Sequence, residues 1–428
     1  MKPILHGSVT LPGSKSESNR ALMIAAYLFE TENGKRRTEN VPFSFLRFPF
    51  PVSEAHDTQL LQSLLNTIVE SQGASPVLVD CEDAGTVARF LLPLLCSREG
   101  TWLMTGTERM CQRPMGPLVD ALRQLGAEID CQRGEGHLPL FVKGKPILGG
   151  TVALDATQSS QFVSALLMAA PIWKNGLQLR LTGPVASTPY VSMTMAMMRH
   201  FGAEARRHGE VIMVAAKPYH EALFEVSVDW SAASYWYELV ALCQGGGLLL
   251  KGLRPETLQG DVVVSKWYEN LGVHTEFGPL GATLTKKEIT VNLDDTTSCF
   301  DFNEVPDLFP SVFVTCIALH IPAVFTGVKN LTLKESDRVR CLVAEMEKLY
   351  SFTTIIEEDK ITISKSSLLY SNNSYKNRTI FNNYNDHRIA MAGAPLKTVF
   401  PALVFDHPEV VAKSYPNYWT EFESVTGL

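Results

Sequence analysis

The chain lacks long uninterrupted apolar runs. None approaches the roughly 18 residues needed to cross a bilayer, and stretches such as residues 248–250 and 312–319 suit buried strands or helices. A soluble protein is the expectation. Metal-ligand spacing is missing too. The eight cysteines (Cys81, Cys96, Cys111, Cys131, Cys243, Cys299, Cys316 and Cys341) are dispersed with no C-x-x-C pair, and the ten histidines include no H-E-x-x-H. That pattern indicates neither a disulfide frame nor a metal site. Positive charge is not in surplus: 38 Lys and Arg against 45 Asp and Glu leave a formal charge of −7, which argues against a broad nucleic-acid footprint. An anion site must then be a local cluster working against the global field. Glycine and proline, 29 and 24 of 428 residues, are not enriched, and 45% of residues are hydrophobic, so neither a collagen-like nor a disordered chain fits. No basic-then-apolar leader or Arg/Ser-rich transit segment opens the sequence, which makes a cytoplasmic location the expectation.

What the chain does have is length for two or three domains and an internal repeat. Residues 14–27, 83–95, 159–170, 231–243 and 307–319 each begin with a short polar opener and continue as an apolar stretch at helical spacing, and a weaker copy opens at Asn385-Asp386-His387-Arg388. Openers at 15, 83, 159, 231, 307 and 386 are 68, 76, 72, 76 and 79 residues apart, too regular for unrelated helices. Between them runs a second series, a strand ending in glycine followed by a helix: Gly106 leads to Gly126, Gly183 to Gly202 and Gly252 to Gly272, with Gly327 starting a fourth copy. Gly126, Gly202 and Gly272 stand where a left-handed residue closes a helix. The reading is an α/β (α+β) chain of six similar units, three per domain. Residues 31–55, with Lys35-Arg36-Arg37 and four phenylalanines, and residues 366–385, rich in Ser, Asn and Tyr, break the pattern and read as irregular loops.

The openers hold the chemistry. Leu11-Pro12-Gly13-Ser14-Lys15-Ser16-Glu17-Ser18-Asn19-Arg20 puts backbone N–H groups, hydroxyls and two cations at a helix start, which suits an anion, although a Ser-capped helix with solvated Lys and Arg accounts for it equally. It is not a P-loop, because Ser14 separates Gly13 from Lys15. Glu82-Asp83-Ala84-Gly85-Thr86 with Arg89 repeats the idea, and Thr157-Gln158-Ser159-Ser160-Gln161 supplies more polar groups than one cap needs. Positive charge recurs at Arg113, at Lys334-Glu335-Ser336-Asp337-Arg338, at Arg388 and at Lys413. On a helix, Lys334 and Arg338 share one face, and solvent-exposed ion pairs are the plain account of them.

Taken in order, these motifs resemble those of the 5-enolpyruvylshikimate-3-phosphate synthase family of enolpyruvyl transferases. The match adds Arg113-Pro114-Met115-Gly116, Ser159-Ser160-Gln161-Phe162, Pro189-Tyr190, Ser231-Ala232-Ala233-Ser234-Tyr235 and Val305-Pro306-Asp307, and runs nearly end to end. Asp83 stands where the family often has Asn, and residues 53–58 follow its acidic loop only loosely. The resemblance implies two globular domains of three βαβαββ units each, residues 1–14 with 228–428 and residues 15–227, with the active site in the cleft between them. It implies transfer of the carboxyvinyl group of phosphoenolpyruvate to the 5-hydroxyl of shikimate 3-phosphate, with phosphate released and no metal or organic cofactor. Lys15, Ser16, Arg20, Ser159, Ser160, Gln161, Ser187, Tyr190, Asp307, Asn330 and Lys334 are then expected at shikimate 3-phosphate. Lys15, Gly85, Arg113, Arg338, Arg388 and Lys413 are expected at phosphoenolpyruvate, and Lys15, Asp307 and Glu335 in proton transfer. The family also suggests a monomer acting on small molecules, without nucleic-acid or membrane partners. Two other readings are a sister enzyme using UDP-N-acetylglucosamine, which usually has Lys-Asn where this chain has Lys15-Ser16, and a catalytically silent homologue. The intact Lys15, Asp307, Glu335, Arg338, Arg388 and Lys413 argue against the second.

Overall fold

The computed structural model describes residues 3–29, 52–71, 76–289, 298–369 and 379–428. Most of residues 31–55, including Lys35-Arg36-Arg37, therefore lies outside the described residues. The chain forms two compact units, one of residues 1–13, 54–56 and 227–428, the other of residues 14–53 and 57–226.

In the second unit two four-stranded sheets share one topology. The first runs Val77–Asp80, Gly100–Thr105, Leu140–Gly144, Glu128–Cys131, and the second Gly150–Asp155, Leu177–Thr182, Val211–Val214, Ala205–His208. In each, the leading pair is parallel and the other pairings are antiparallel. A parallel pair requires a crossover, and the apolar helices Gly85–Ser97 and Ser160–Ala169 provide it. Strand Leu177–Thr182 shows why one face is covered: Leu177, Leu179 and Leu181 are buried while Gln178, Arg180 and Thr182 face out.

The first unit repeats this order in Ser298–Asp301, Ala323–Thr326, Lys360–Ile363, Thr354–Ile356. Its other large sheet departs in one respect. The strands parallel to Gly245–Lys251 are Ile4–Leu5 and Ser8–Thr10, from the far end of the sequence, which ties the N-terminus into this unit. The interior helices are Trp230–Leu242 and Phe309–Ala318, buried at every position, as expected of helices apolar on all sides.

Each of the six openers begins a helix, at Lys15, Gly85, Ser160, Trp230, Phe309 and His387. Gly126, Gly202 and Gly272 have φ of +96°, +85° and +91°, each one residue past a helix C-cap. Residues 366–385 are not wholly irregular. Ser367–Leu368 pairs with Tyr350–Ser351, and Thr379–Phe381 runs parallel to Leu403–Phe405, because neighbouring strands offer open edges that a Ser/Asn-rich composition does not reveal. All eight cysteines are free. Among the described residues no helix is long and apolar enough to cross a membrane, and none group as a metal site.

Candidate active site

In the second unit the starts of three apolar helices meet. Helix Lys15–Phe29 begins after Ser14, whose hydroxyl accepts from the Glu17 N–H at 3.4 Å. Lys15 Nζ donates to Asp57 Oδ2 at 2.9 Å. One turn on, Arg20 is 2% exposed, and it donates to Thr194 Oγ1 (2.7 Å), Ser164 Oγ (3.3 Å) and the carbonyls of Ser16 (2.8 Å) and Tyr190 (3.4 Å). Burial pushes the Arg20 guanidinium down to about 10, against the pull of Tyr190 and Glu17, so it keeps its charge at neutral pH. Arg89 donates to Gln161 Oε1 at 2.7 Å, and Gln161 Nε2 donates to Thr86 Oγ1 at 3.0 Å, joining the second helix start to the third. Ser159 caps that third helix through the Gln161 N–H (3.2 Å), with Ser160 buried beside it. Ser187 has φ +56°, a costly conformation for a non-glycine residue, and occupies the position just before helix Thr188–His200, which carries Tyr190.

Gly85 and Arg113 fit closely. Arg113 donates to the Asp83 carbonyl at 3.3 Å, and a Cβ on Gly85 would stand 2.8 Å from the Arg113 guanidinium. The far end of an arginine can move, so Gly85→Ala is expected to keep the fold and displace Arg113. Affinity for a phosphate-bearing ligand held there should fall about tenfold, the scale of one charged hydrogen bond. Calorimetric titration checks this, and unchanged binding with an unchanged melting temperature would remove Arg113 from the site.

In the first unit the cluster is built on carboxylates and arginines. Asp307, in the turn Pro306–Leu308 that leads into helix Phe309–Ala318, accepts from Arg338 Nη1 at 3.2 Å and from Arg388 Nη2 at 2.7 Å. Arg338 also donates to Glu335 Oε2 (2.8 Å) and to Asp386 Oδ2 through Nε (2.9 Å). Arg388 reaches the Tyr235 hydroxyl at 3.3 Å. Burial alone would raise the Asp307 carboxyl, but Arg388, Lys334 and Arg338 outweigh it and Glu335, and hold it well below the usual carboxylate range. The sequence expectation for Lys334 and Arg338 is corrected here. Lys334 is extended, the helix begins at Arg338, and Arg338 is 1% exposed, so the two share no helix face and Arg338 is no solvated ion pair. Asp337 takes the cap by accepting from the Arg340 N–H at 3.2 Å, which ends the chance of helix at Lys334. Asn330 lies in the short helix Lys329–Leu333 just before, and Lys413, 5% exposed, ends the short helix Pro408–Lys413.

Several residues here escape sequence reasoning. Asp57, the partner of Lys15, lies in helix His56–Glu70, and the loose acidic match of residues 53–58 is the one signal that points at it. Ser164 and Thr194, which orient Arg20, carry no motif. Asp261 is buried, accepts a short bond from the Ser231 hydroxyl, and is pushed up to about 7 by burial and by Asp307, against Ser231 and Arg388.

The two bonded clusters thus present cations, hydroxyls and buried carboxylates at helix starts, an arrangement suited to small polyanions. Solved structures share this fold. A synthase of 5-enolpyruvylshikimate 3-phosphate (EPSP) from Acinetobacter baumannii matches with TM-score 0.67 and 20% identity over 99% of this chain and 96% of its own. The enolpyruvyl transferase NikO from Streptomyces tendae matches with TM-score 0.64 and 13% identity over 99% and 95%. Residues 54–422 match the model of the family described as EPSP synthase (3-phosphoshikimate 1-carboxyvinyltransferase). A 3-phosphoshikimate 1-carboxyvinyltransferase of Bacteroides fragilis is 40% identical over 97% of this chain and 94% of its own length, and one of Sulfurovum sp. is 32% identical over 100% and 98%. The chain belongs to the EPSP synthase family.

Proposed function

We infer that the chain transfers the carboxyvinyl group of phosphoenolpyruvate to the 5-hydroxyl of shikimate 3-phosphate, releasing inorganic phosphate, in aromatic amino acid biosynthesis. The full-length relationship to curated 3-phosphoshikimate 1-carboxyvinyltransferases carries this reading. The chemistry is addition followed by elimination. A proton is added to the methylene carbon of phosphoenolpyruvate as the 5-hydroxyl oxygen bonds to the neighbouring carbon and gives up its own proton. A proton then leaves the new methyl group, the carbon–oxygen bond to phosphate breaks, and the double bond is restored.

In this reading Asp307 takes the hydroxyl proton, Glu335 gives the proton to the methylene carbon, and Lys15 assists. Arg338 and Arg388 receive phosphoenolpyruvate together with Lys15, Gly85, Arg113 and Lys413. An anion arriving at Arg338 and Arg388 competes for the cations that hold Asp307 ionised, which raises the basicity of Asp307 when the substrate is in place. Ser16, Ser159, Ser160, Gln161, Ser187, Tyr190, Asn330 and Lys334 receive shikimate 3-phosphate with Arg20. For Arg20 to grip a carboxylate, its bonds to the Ser16 and Tyr190 carbonyls are the ones to exchange.

Phosphate release from phosphoenolpyruvate, with shikimate 3-phosphate or UDP-N-acetylglucosamine as acceptor, tests the reading. Release with the first alone is expected; release with the second alone would overturn the acceptor, and release with neither would favour a silent homologue. Glu335→Gln is expected to lower kcat by about a hundredfold or more with little change in melting temperature, and near-normal turnover would end its role as the acid.

A further inference from the structure

Two consecutive non-glycine residues, Tyr384 and Asn385, have φ of +54° and +56° immediately before Asp386 and Arg388. Such backbone is costly, most of all for a bulky residue such as Tyr384, and persists only where its surroundings hold it. The holding group is Glu345. It is fully buried on helix Arg338–Glu347, and each of its oxygens takes two donors. Oε1 accepts from the Tyr384 hydroxyl (2.7 Å) and Asn382 Nδ2 (3.2 Å); Oε2 accepts from the Asn382 backbone N–H (2.9 Å) and Lys348 Nζ (2.5 Å). Asn383 anchors the other side, donating from its backbone to Asp406 Oδ1 (2.9 Å) and from Nδ2 to the His407 carbonyl (2.6 Å). It also takes the Asn385 N–H on Oδ1 (3.0 Å) and the Asp386 N–H on its carbonyl (2.8 Å), which closes the turn.

We propose that Glu345 is a positioning residue: its buried carboxylate clamps the left-handed turn 382–385 and so sets where Asp386 and Arg388 stand beside Asp307. The helix that carries Glu345 also carries Arg338 at its first residue, two turns earlier and on the same face, roughly 10 Å along the axis. One rigid element therefore grips the segment twice, at Asn382 and Tyr384 through Glu345 and at Asp386 through Arg338. Asp386 in turn caps the Arg388 N–H at 3.0 Å, and Arg388 meets Asp307 and Tyr235. An error at the turn passes directly to the Arg388 guanidinium.

The assignment to phosphoenolpyruvate rests on the function proposed above. Glu345→Ala, Glu345→Gln and Tyr384→Phe test it in the full chain, by steady-state kinetics with each substrate varied and by amide exchange over residues 382–388. The expected result for Glu345→Ala is a rise of about tenfold in KM for phosphoenolpyruvate. The KM for shikimate 3-phosphate should stay within about twofold, because most of its expected contacts lie in the other unit, and exchange protection should be lost at residues 382–388 alone. Glu345→Gln, which keeps an acceptor oxygen, and Tyr384→Phe should fall between it and the parent protein. A folded Glu345→Ala with parental KM values and exchange would overturn the proposal. So would a fall in kcat with both KM values unchanged and a lowered melting temperature, the signature of a shrunken active fraction. If the parent protein releases no phosphate with shikimate 3-phosphate, the functional reading fails while the clamp is still decided by exchange: confined loss supports it, and unchanged protection overturns it.

Discussion

Asp307→Asn is expected to lower kcat by about 10²- to 10⁴-fold, the usual contribution of a positioned general base, while the protein remains folded. The asymmetry comes from the neighbours. Arg338 keeps Glu335 and Asp386 when the Asp307 charge is removed, and Arg388 keeps the Tyr235 hydroxyl, so neither cation is stranded without a partner. An amide still accepts a hydrogen bond through its oxygen but does not take the hydroxyl proton at neutral pH. Steady-state phosphate release alongside thermal denaturation separates the two effects. Turnover within about threefold of the parent would move the base elsewhere, and Asp261, buried and pushed up to about 7, would be the next candidate.

The largest expected effect on stability lies away from this chemistry, at Glu238. This residue is fully buried on helix Trp230–Leu242, and neither carboxyl oxygen has a hydrogen-bond partner among the described residues. Burial drives its carboxyl well above the ordinary value of 4.5. The unfolded chain loses this proton near pH 4.5 and the folded chain keeps it. Folding is therefore unhindered by Glu238 below that pH and loses stability as pH rises toward the folded-state pKa, by about 1.4 kcal/mol per pH unit for the one proton. Glu238→Leu, similar in volume and free of polar atoms, should abolish that slope and stabilise the protein at pH 8 by about 1–4 kcal/mol, the range found when buried charged groups give way to apolar ones. At pH 4.5 the gain should nearly vanish. Urea denaturation at both values decides it, and equal gains at the two would show that packing and not ionisation is responsible.

The outline of the fold was legible because its signals are local. A polar opener followed by an apolar run specifies a helix whatever surrounds it, and all six openers begin helices. A glycine that must take positive φ marks a helix end, as at Gly126, Gly202 and Gly272. The same locality explains the errors. Lys334 and Arg338 have helical spacing, but Asp337 takes the cap and the helix starts only at Arg338, and sequence spacing carries no information on where a cap wins. The strands Ser367–Leu368 and Thr379–Phe381 exist because partners pair with them, a condition that Ser- and Asn-rich composition hides.

The sequence by itself determined which side chains are present at each helix start and, through nine motifs in order, the family. The tertiary structure decided which of them meet. Arg388 and Asp307 are 81 residues apart, Arg388 and Tyr235 are 153 apart, and Lys15 and Asp57 are 42 apart. Pairings over such distances follow from sheet order and helix packing, not from any pattern within one segment. The burial of Arg338, the ionisation of Asp307 and the clamp at Glu345 are consequences of those pairings. Charge and hydrogen-bond energies depend on distance and on exclusion from water, and both quantities come into being only when the chain has folded.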